Sequence, residues 1–295
     1  ALGSNSADAI TTGACNIALG INALGASTTG CNNVAIGETA LGGTVTTGGF
    51  NLAIGANAMD ALTSGTQNIA LGTNALGVST TGCNNIAIGQ QALGQATVGG
   101  TSAQGNYNTA IGFRAGRVLT TAIHNVIIGS DAGYTLSSGD YNVALGLNAM
   151  GTLTIGADNI AIGRNALYGA TVTGNDNIAI GGYSADALTC GACNIAMGLN
   201  ALGAATTGDD NVAIGQGAIG TGTTTGSNNV AIGLNSLNAV GTGNHNVGVG
   251  PNALNAVTSG TYNVAIGSVA LGVAVVTGAD NIAIGTNTMD ALTSG

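Results

Sequence analysis

The sequence predicts an all-β protein, a parallel β-solenoid (β-roll) of about seventeen coils, each 17–18 residues long. Three observations lead there. The segment TTGCNNVAIGETALG at 28–42 returns as TTGCNNIAIGQQALG at 80–94, with three differences in fifteen residues. The motif N-[IVLT]-[AIG]-[ILMV]-G occurs sixteen times, anchored at Asn16, Asn33, Asn51, Asn68, Asn85, Asn108, Asn125, Asn142, Asn159, Asn177, Asn194, Asn211, Asn229, Asn246, Asn263 and Asn281. Its steps are 17 or 18 residues apart from a single step of 23, a period too short for helix-pair repeats. The segments are rich in Val, Ile, Thr and Gly, which favour strands and turns over helices.

Each part of the coil has its own signal. Positions are counted from the anchor Asn. Large aliphatic residues stand at +1 and +3 (Ile17 and Leu19, Val34 and Ile36, Ile160 and Ile162), which a strand places on one face. Ala stands between them at +2 (Ala18, Ala35, Ala161), apolar but small, so both faces of this strand read as buried. The Ala face has no evident use in an isolated coil and is expected to pack against partner chains. Gly follows at +4 in all sixteen copies, where a corner with φ > 0 or a close backbone approach is expected. Segments such as Asn22–Gly25 and Asn200–Gly203 then suggest a second short strand, and TTG or TSG closes the coil. Ile69, Ala75 and Thr81 show a six-residue spacing that also suits a triangular single-chain helix. The repeat treats residues 1–295 as one repetitive segment, with an insertion near 94–107, and the phases of Ala1 and Gly295 read as cuts within a longer chain.

Composition narrows the function. The 295 residues include 53 Gly, two Phe, six Tyr and no Trp, so the core must be built of small aliphatics. Only 5% of residues are charged, and the formal net charge is −9 with three Arg and no Lys. That balance excludes nucleic acid as a partner, since phosphate binding draws on clustered cations, and disfavours an anionic membrane surface. No run of apolar residues is long enough to predict insertion into a membrane in this segment.

The repeated NNVAIG, DNIAIG and YNVAIG resemble the head repeats of YadA-like trimeric autotransporter adhesins and the similar repeats of bacteriophage tail fibres. The resemblance covers essentially the whole chain. It implies a left-handed parallel β-roll, three chains wound as a homotrimeric fibre and an extracellular place on a virion or cell surface; the sequence itself offers few convergent catalytic groups, so no enzymatic activity or cofactor is expected. Partners would be the chain itself and a host-surface glycan or receptor. Its usual repeat is nearer fourteen residues, so coils of 17–18 leave the cross-section open. A fibre of this kind spans distance and presents a receptor-binding tip. The alternatives are a tailspike-like carbohydrate-processing enzyme and an ice-binding solenoid with Thr arrays.

Candidate residues fall into four groups. The anchors Asn16, Asn33, Asn51, Asn68 and Asn85 predict a structural ladder of stacked side-chain amides. The residue before each anchor varies widely (Cys15, Phe50, Tyr107, His124, Asp158, Asp176, His245), as an exposed stripe would. Within it, Asp158 and Asp176 share a phase in consecutive coils, a spacing that a retaining glycosidase pair could use. The insertion and the coil after it hold Tyr107, Phe113, Arg114 and Arg117, which makes this the candidate recognition loop, because inserted loops project and often carry function. The five Cys (Cys15, Cys31, Cys83, Cys190 and Cys193) suit ladder positions better than disulfides: their number is odd, and Cys31 and Cys83 lie three coils apart. Cys190 and Cys193 lack a second pair that would complete a zinc site.

Overall fold

The computed structural model describes residues 1–95, 105–169, 173–222, 224–272 and 277–290. The chain divides into two compact units, Ala1–Ile155 and Gly156–Gly295. The first unit carries β1 (Ile17–Leu19), β2 (Val34–Ile36), β3 (Leu52–Ile54), β4 (Ile69–Leu71), β5 (Ile86–Ile88), β6 (Thr109–Ile111), β7 (Val126–Ile128) and β8 (Val143–Leu145). The second carries β9 (Ile160–Ile162), β10 (Ile178–Ile180), β11 (Ile195–Met197), β12 (Val212–Ile214), β13 (Val230–Ile232), β14 (Val247–Val249), β15 (Val264–Ile266) and β16 (Ile282–Ile284). In each unit every strand pairs in parallel with the next in chain order, so that Ile17 meets Val34 and Ile178 meets Ile195. Each unit is a parallel β-solenoid. The 23-residue step does not disturb the ladder: Ile86 pairs with Thr109 and Ile88 with Ile111.

Backbone geometry fixes the strand at three residues. The residue before each anchor is left-handed, with φ of 61° at Cys15 and 58° at Asp158, and the +4 glycines have φ between 124° and 136°. A strand flanked on both sides by such residues cannot grow. The +4 position also tolerates no side chain, since a Cβ on Gly163 would lie 2.5 Å from the Gly181 carbonyl oxygen. Glycine is thus required twice over, by conformation and by the contact between coils.

The interior reverses the expected roles of the strand faces. Ala35, Ala53, Ala161 and Ala231 at +2 are fully buried within their own coils, so they are not available to partner chains. The +1 and +3 residues point outwards: Ile162, Ile214 and Ile232 are each 38% exposed and Ile266 is 41%. Beside the buried +8 side chains such as Leu24, Leu41 and Met59, most coils have room at +2 for no more than a methyl group. The expected second strand is absent among the described residues. The Asn22–Gly25 segment is instead a turn, in which Asn22 (φ 58°) and Leu24 (φ 52°) are both left-handed. This conformation costs a non-glycine residue about 1 kcal/mol or more. Here it turns Leu24 inwards to complete burial, and Leu24 N donates to the Ala40 carbonyl of the next coil at 2.9 Å. In the six-residue series of the triangular alternative, Ile69 is half-exposed and Ala75 fully buried, so the two positions are not equivalent.

Two exceptions show that the interior is packed to volume. Ile127 replaces the usual +2 Ala, and the +8 positions beside it, most often Leu or Met, are Gly116 and Gly133. The Ile127 Cδ1 atom sits 3.1 Å from where a Cβ on either glycine would stand. Conversely, Gly248 replaces a +2 Ala, and Ser236 fills the space, its hydroxyl donating to the Gly248 carbonyl at 2.9 Å.

Candidate functional site

The anchor asparagines form a buried ladder. Asn177 donates its backbone N–H to Asn159 Oδ1 (2.9 Å) and its Nδ2 to the same atom (3.1 Å) and to the Gly191 carbonyl of the next coil (2.9 Å). Asn51, Asn68 and Asn85 repeat the pattern, and Asn33 accepts from Asn51 in the same way. Asn16 starts the series, with Oδ1 receiving the Asn33 N–H at 2.8 Å. Each amide therefore satisfies backbone groups that the corner would otherwise bury unpaired. The role is structural.

A second ladder lies two residues before the anchor, and its varied chemistry hides it in the sequence. The side chains of Asn106, Asp140, Asn175, Asp209 and Asn244 each accept the N–H of the corresponding residue in the preceding coil at 2.7–2.8 Å. Cys31 and Cys83 do so through sulfur, at 3.4 and 3.3 Å. All five cysteines are free thiols. Desolvation and the carboxylates of Asp210, Asp176 and Asp209 push the Cys193 thiol up. Cys193 is exposed, so the carboxylates are the cause its surroundings support. Redox thiols need the opposite shift.

The stripe before the anchor is exposed, and its rings stack from coil to coil. Tyr107 and His124 lie 4.8 Å apart, His124 and Tyr141 5.1 Å, and His245 and Tyr262 4.8 Å, all within 5° of parallel. Asp158 and Asp176 are exposed on the same stripe, in an open setting without the enclosure that usually marks a catalytic carboxylate pair. Among the described residues no group of three or more His, Cys, Asp or Glu could hold a metal ion, and no helix is long and apolar enough to cross a membrane.

The structure splits the candidate recognition residues between two clusters. Tyr107 belongs to the ring stack, whereas Phe113, Arg114 and Arg117 gather around Tyr134 and Asp131 of the following coil. Arg114 pairs with Asp131, Nη2 donating to Oδ2 at 3.0 Å while Nε lies 2.8 Å from Oδ1 as an ion contact rather than a well-directed hydrogen bond. The Arg114 guanidinium sits 4.6 Å from the Phe113 ring centre and 5.2 Å from that of Tyr134. Arg117 donates to the Tyr134 hydroxyl and stands 5.4 Å from its ring. Residues 96–104 of the insertion lie outside the described residues. At its edges, Gln95 N donates to the Arg117 carbonyl (2.8 Å) and Gly105 N to that of Thr120 (3.0 Å).

A polar pocket on the same side of the coils was not foreseen. Its volume is about 260 Å³, and Asp60, Asn74, Gln91 and Gln95 line it together with Gly77, Gly94 and the apolar Val78. Burial pushes the Asp60 carboxyl up, partly opposed by the backbone N–H groups of Asp60 and Ala61. No protein-family model matches this chain, and no curated protein matches it.

Proposed function

We propose that this chain is a structural and adhesive segment of an extracellular fibre, of the phage tail-fibre or cell-surface adhesin kind, in which three copies associate through the outward face of the strands. One observation carries the reading: in each unit the +1 and +3 positions set a continuous apolar surface towards solvent, aliphatic at every position but Thr109 and Met197. Single exposed aliphatics are ordinary, but contiguous apolar surface beyond a few hundred Å² marks an interaction site. The resemblance to trimeric adhesin repeats supplies the number three.

The test is the mass of the chain in solution by sedimentation equilibrium. The expected value is three times the 28.0 kDa of one chain. Ile214→Asp with Ile232→Asp is expected to give single chains that keep the strand signal in circular dichroism, since both side chains point away from the coil interior. A wild-type chain that stays single at concentrations of about 10⁻⁴ M, well above a micromolar Kd, overturns the proposal.

A further inference from the structure

We infer that the pocket of the first unit binds one neutral, hydroxyl-rich sugar ring. The proposal deepens the adhesive part of the reading above, but the pocket lies within one chain and is tested apart from assembly. The pocket exists because of a gap in one rank of side chains. At +9, successive coils carry Asp60, Gly77, Gly94 and Arg117, so two coils without side chains lie between a carboxylate and a guanidinium. The lining runs from Asp60 across the Gly77 coil to the Gly94 coil, two steps of about 4.8 Å, so the opening extends roughly 10 Å along the coils, enough for a pyranose and its substituents. The volume of about 260 Å³ falls just below the roughly 300 Å³ at which pockets for drug-sized ligands begin.

The lining selects the ligand. Asp60 offers an acceptor that meets no cation, and Asn74, Gln91 and Gln95 each offer an acceptor and two donors. This set matches vicinal hydroxyls, each of which both donates and accepts. One carboxylate is too few for a calcium site, which takes about six to eight oxygen ligands. An anion would face Asp60 with no lining cation, because Arg117 lies outside the pocket and is engaged with Tyr134. The corresponding gap in the second unit, Asp186–Gly203–Gly220, keeps only part of this equipment: Asn200 matches Asn74, but Gly217 stands where the first unit has Gln91, and the nearby amide of Asn238 is consumed by the Gly217 carbonyl at 2.7 Å and by Thr221.

The experiment titrates the ¹⁵N-labelled full chain with methyl α-glucopyranoside, methyl β-galactopyranoside, N-acetylglucosamine and glucuronate, each to about 50 mM, far above a millimolar Kd. At least one neutral sugar is expected to shift the side-chain amide signals of Asn74, Gln91 and Gln95. Asp60→Ala and Gln91→Ala are each expected to weaken that binding at least about tenfold, a loss of one charged or bidentate contact, with the sedimented mass unchanged. The wild-type amide shifts keep the test decisive if a variant misfolds. No shift with any neutral sugar overturns the proposal. So does binding that survives both substitutions, or binding confined to glucuronate and abolished by Arg117→Ala.

Discussion

In most coils three residues hold left-handed backbone without being glycine: the residue before the anchor, the +6 residue and the +8 residue, as in Asp158, Asn165 and Leu167; Gly116, Gly133 and Gly217 take one of these places in three others. Each costs about 1 kcal/mol or more, and a neighbouring coil offsets it with a bond or a burial: Asp176 and Tyr183 donate their N–H groups to Ala157 and Arg164 of the preceding coil, whereas the +8 residue donates to the next. The amide of Leu167 donates to the Ser184 carbonyl at 2.9 Å while its side chain is fully buried. The +4 glycine is different, because no compensation is available to a side chain there. Gly163→Ala is therefore expected to destabilise the chain by about 1–3 kcal/mol, the cost of a residue held in sparsely populated backbone. Gly163→Val should cost more, as its branches add to the clash with the Gly181 carbonyl. Thermal unfolding followed by circular dichroism checks this, and an unchanged midpoint for Gly163→Ala would remove the corner from its assigned role. The glycine and the anchor Asn were legible because a single chemistry repeats at a fixed phase. The left-handed Leu was not: nothing in NALG distinguishes a strand from a turn whose leucine violates its own backbone preference. The ladder two residues before the anchor was hidden for another reason, since Asn, Asp and Cys share an acceptor but not a name.

At the scale of the strand, period two states which residues share a face but not which face lies inside. An Ile-Ala-Ile strand suggests that the large residues form the core. The structure places them outside because the buried +8 side chains leave room in most coils only for Ala at +2. The Ile127 coil tests this account. Ile127→Ala should cost about 2–5 kcal/mol, because Gly116 and Gly133 leave its space unfilled. Val126→Ala, on the outward face of the same strand, should cost far less while the chains are kept apart. The converse is Ala231→Ile, which should overpack its coil by about 1–3 kcal/mol and recover part of that loss when Ile219 and Leu237, the +8 residues on either side, are made glycine. Denaturant midpoints of the single and combined variants give the coupling, and strict additivity would refute the volume argument. The turns carry a pH signature as well. Burial raises the Asp186 carboxyl above its ordinary value, with its own backbone N–H opposing in part. A group raised in the folded state adds stability only below its unfolded value, and that contribution is lost as pH rises through the folded value. Asp186→Asn should thus raise the melting temperature at about pH 7 and leave it unchanged at about pH 3, below the carboxylate range.

For the whole molecule, charge and apolar surface oppose each other. A chain with twelve Asp and Glu against three Arg carries a formal charge of −9 and repels its copies. The Arg114–Asp131 pair is internal to the first unit, so it offers nothing to an assembly. In the proposed assembly the copies are held by the aliphatic face of β1–β8 and of β9–β16, an attraction that salt does not screen and that sulfate strengthens. Association should then tighten as salt rises from about 10 mM to about 500 mM, where the screening length falls from roughly 30 Å to a few ångströms. It should tighten further when sulfate replaces chloride, and loosen on cooling, as apolar burial does near room temperature. Sedimentation equilibrium across this series reads the association constant directly. Copies joined through the acidic stripe of Asp158, Asp176 and Asp210 and a complementary cation would behave in the opposite way, coming apart as salt is added. A constant that falls with salt would therefore locate the contact on that stripe and leave the aliphatic face for some other partner.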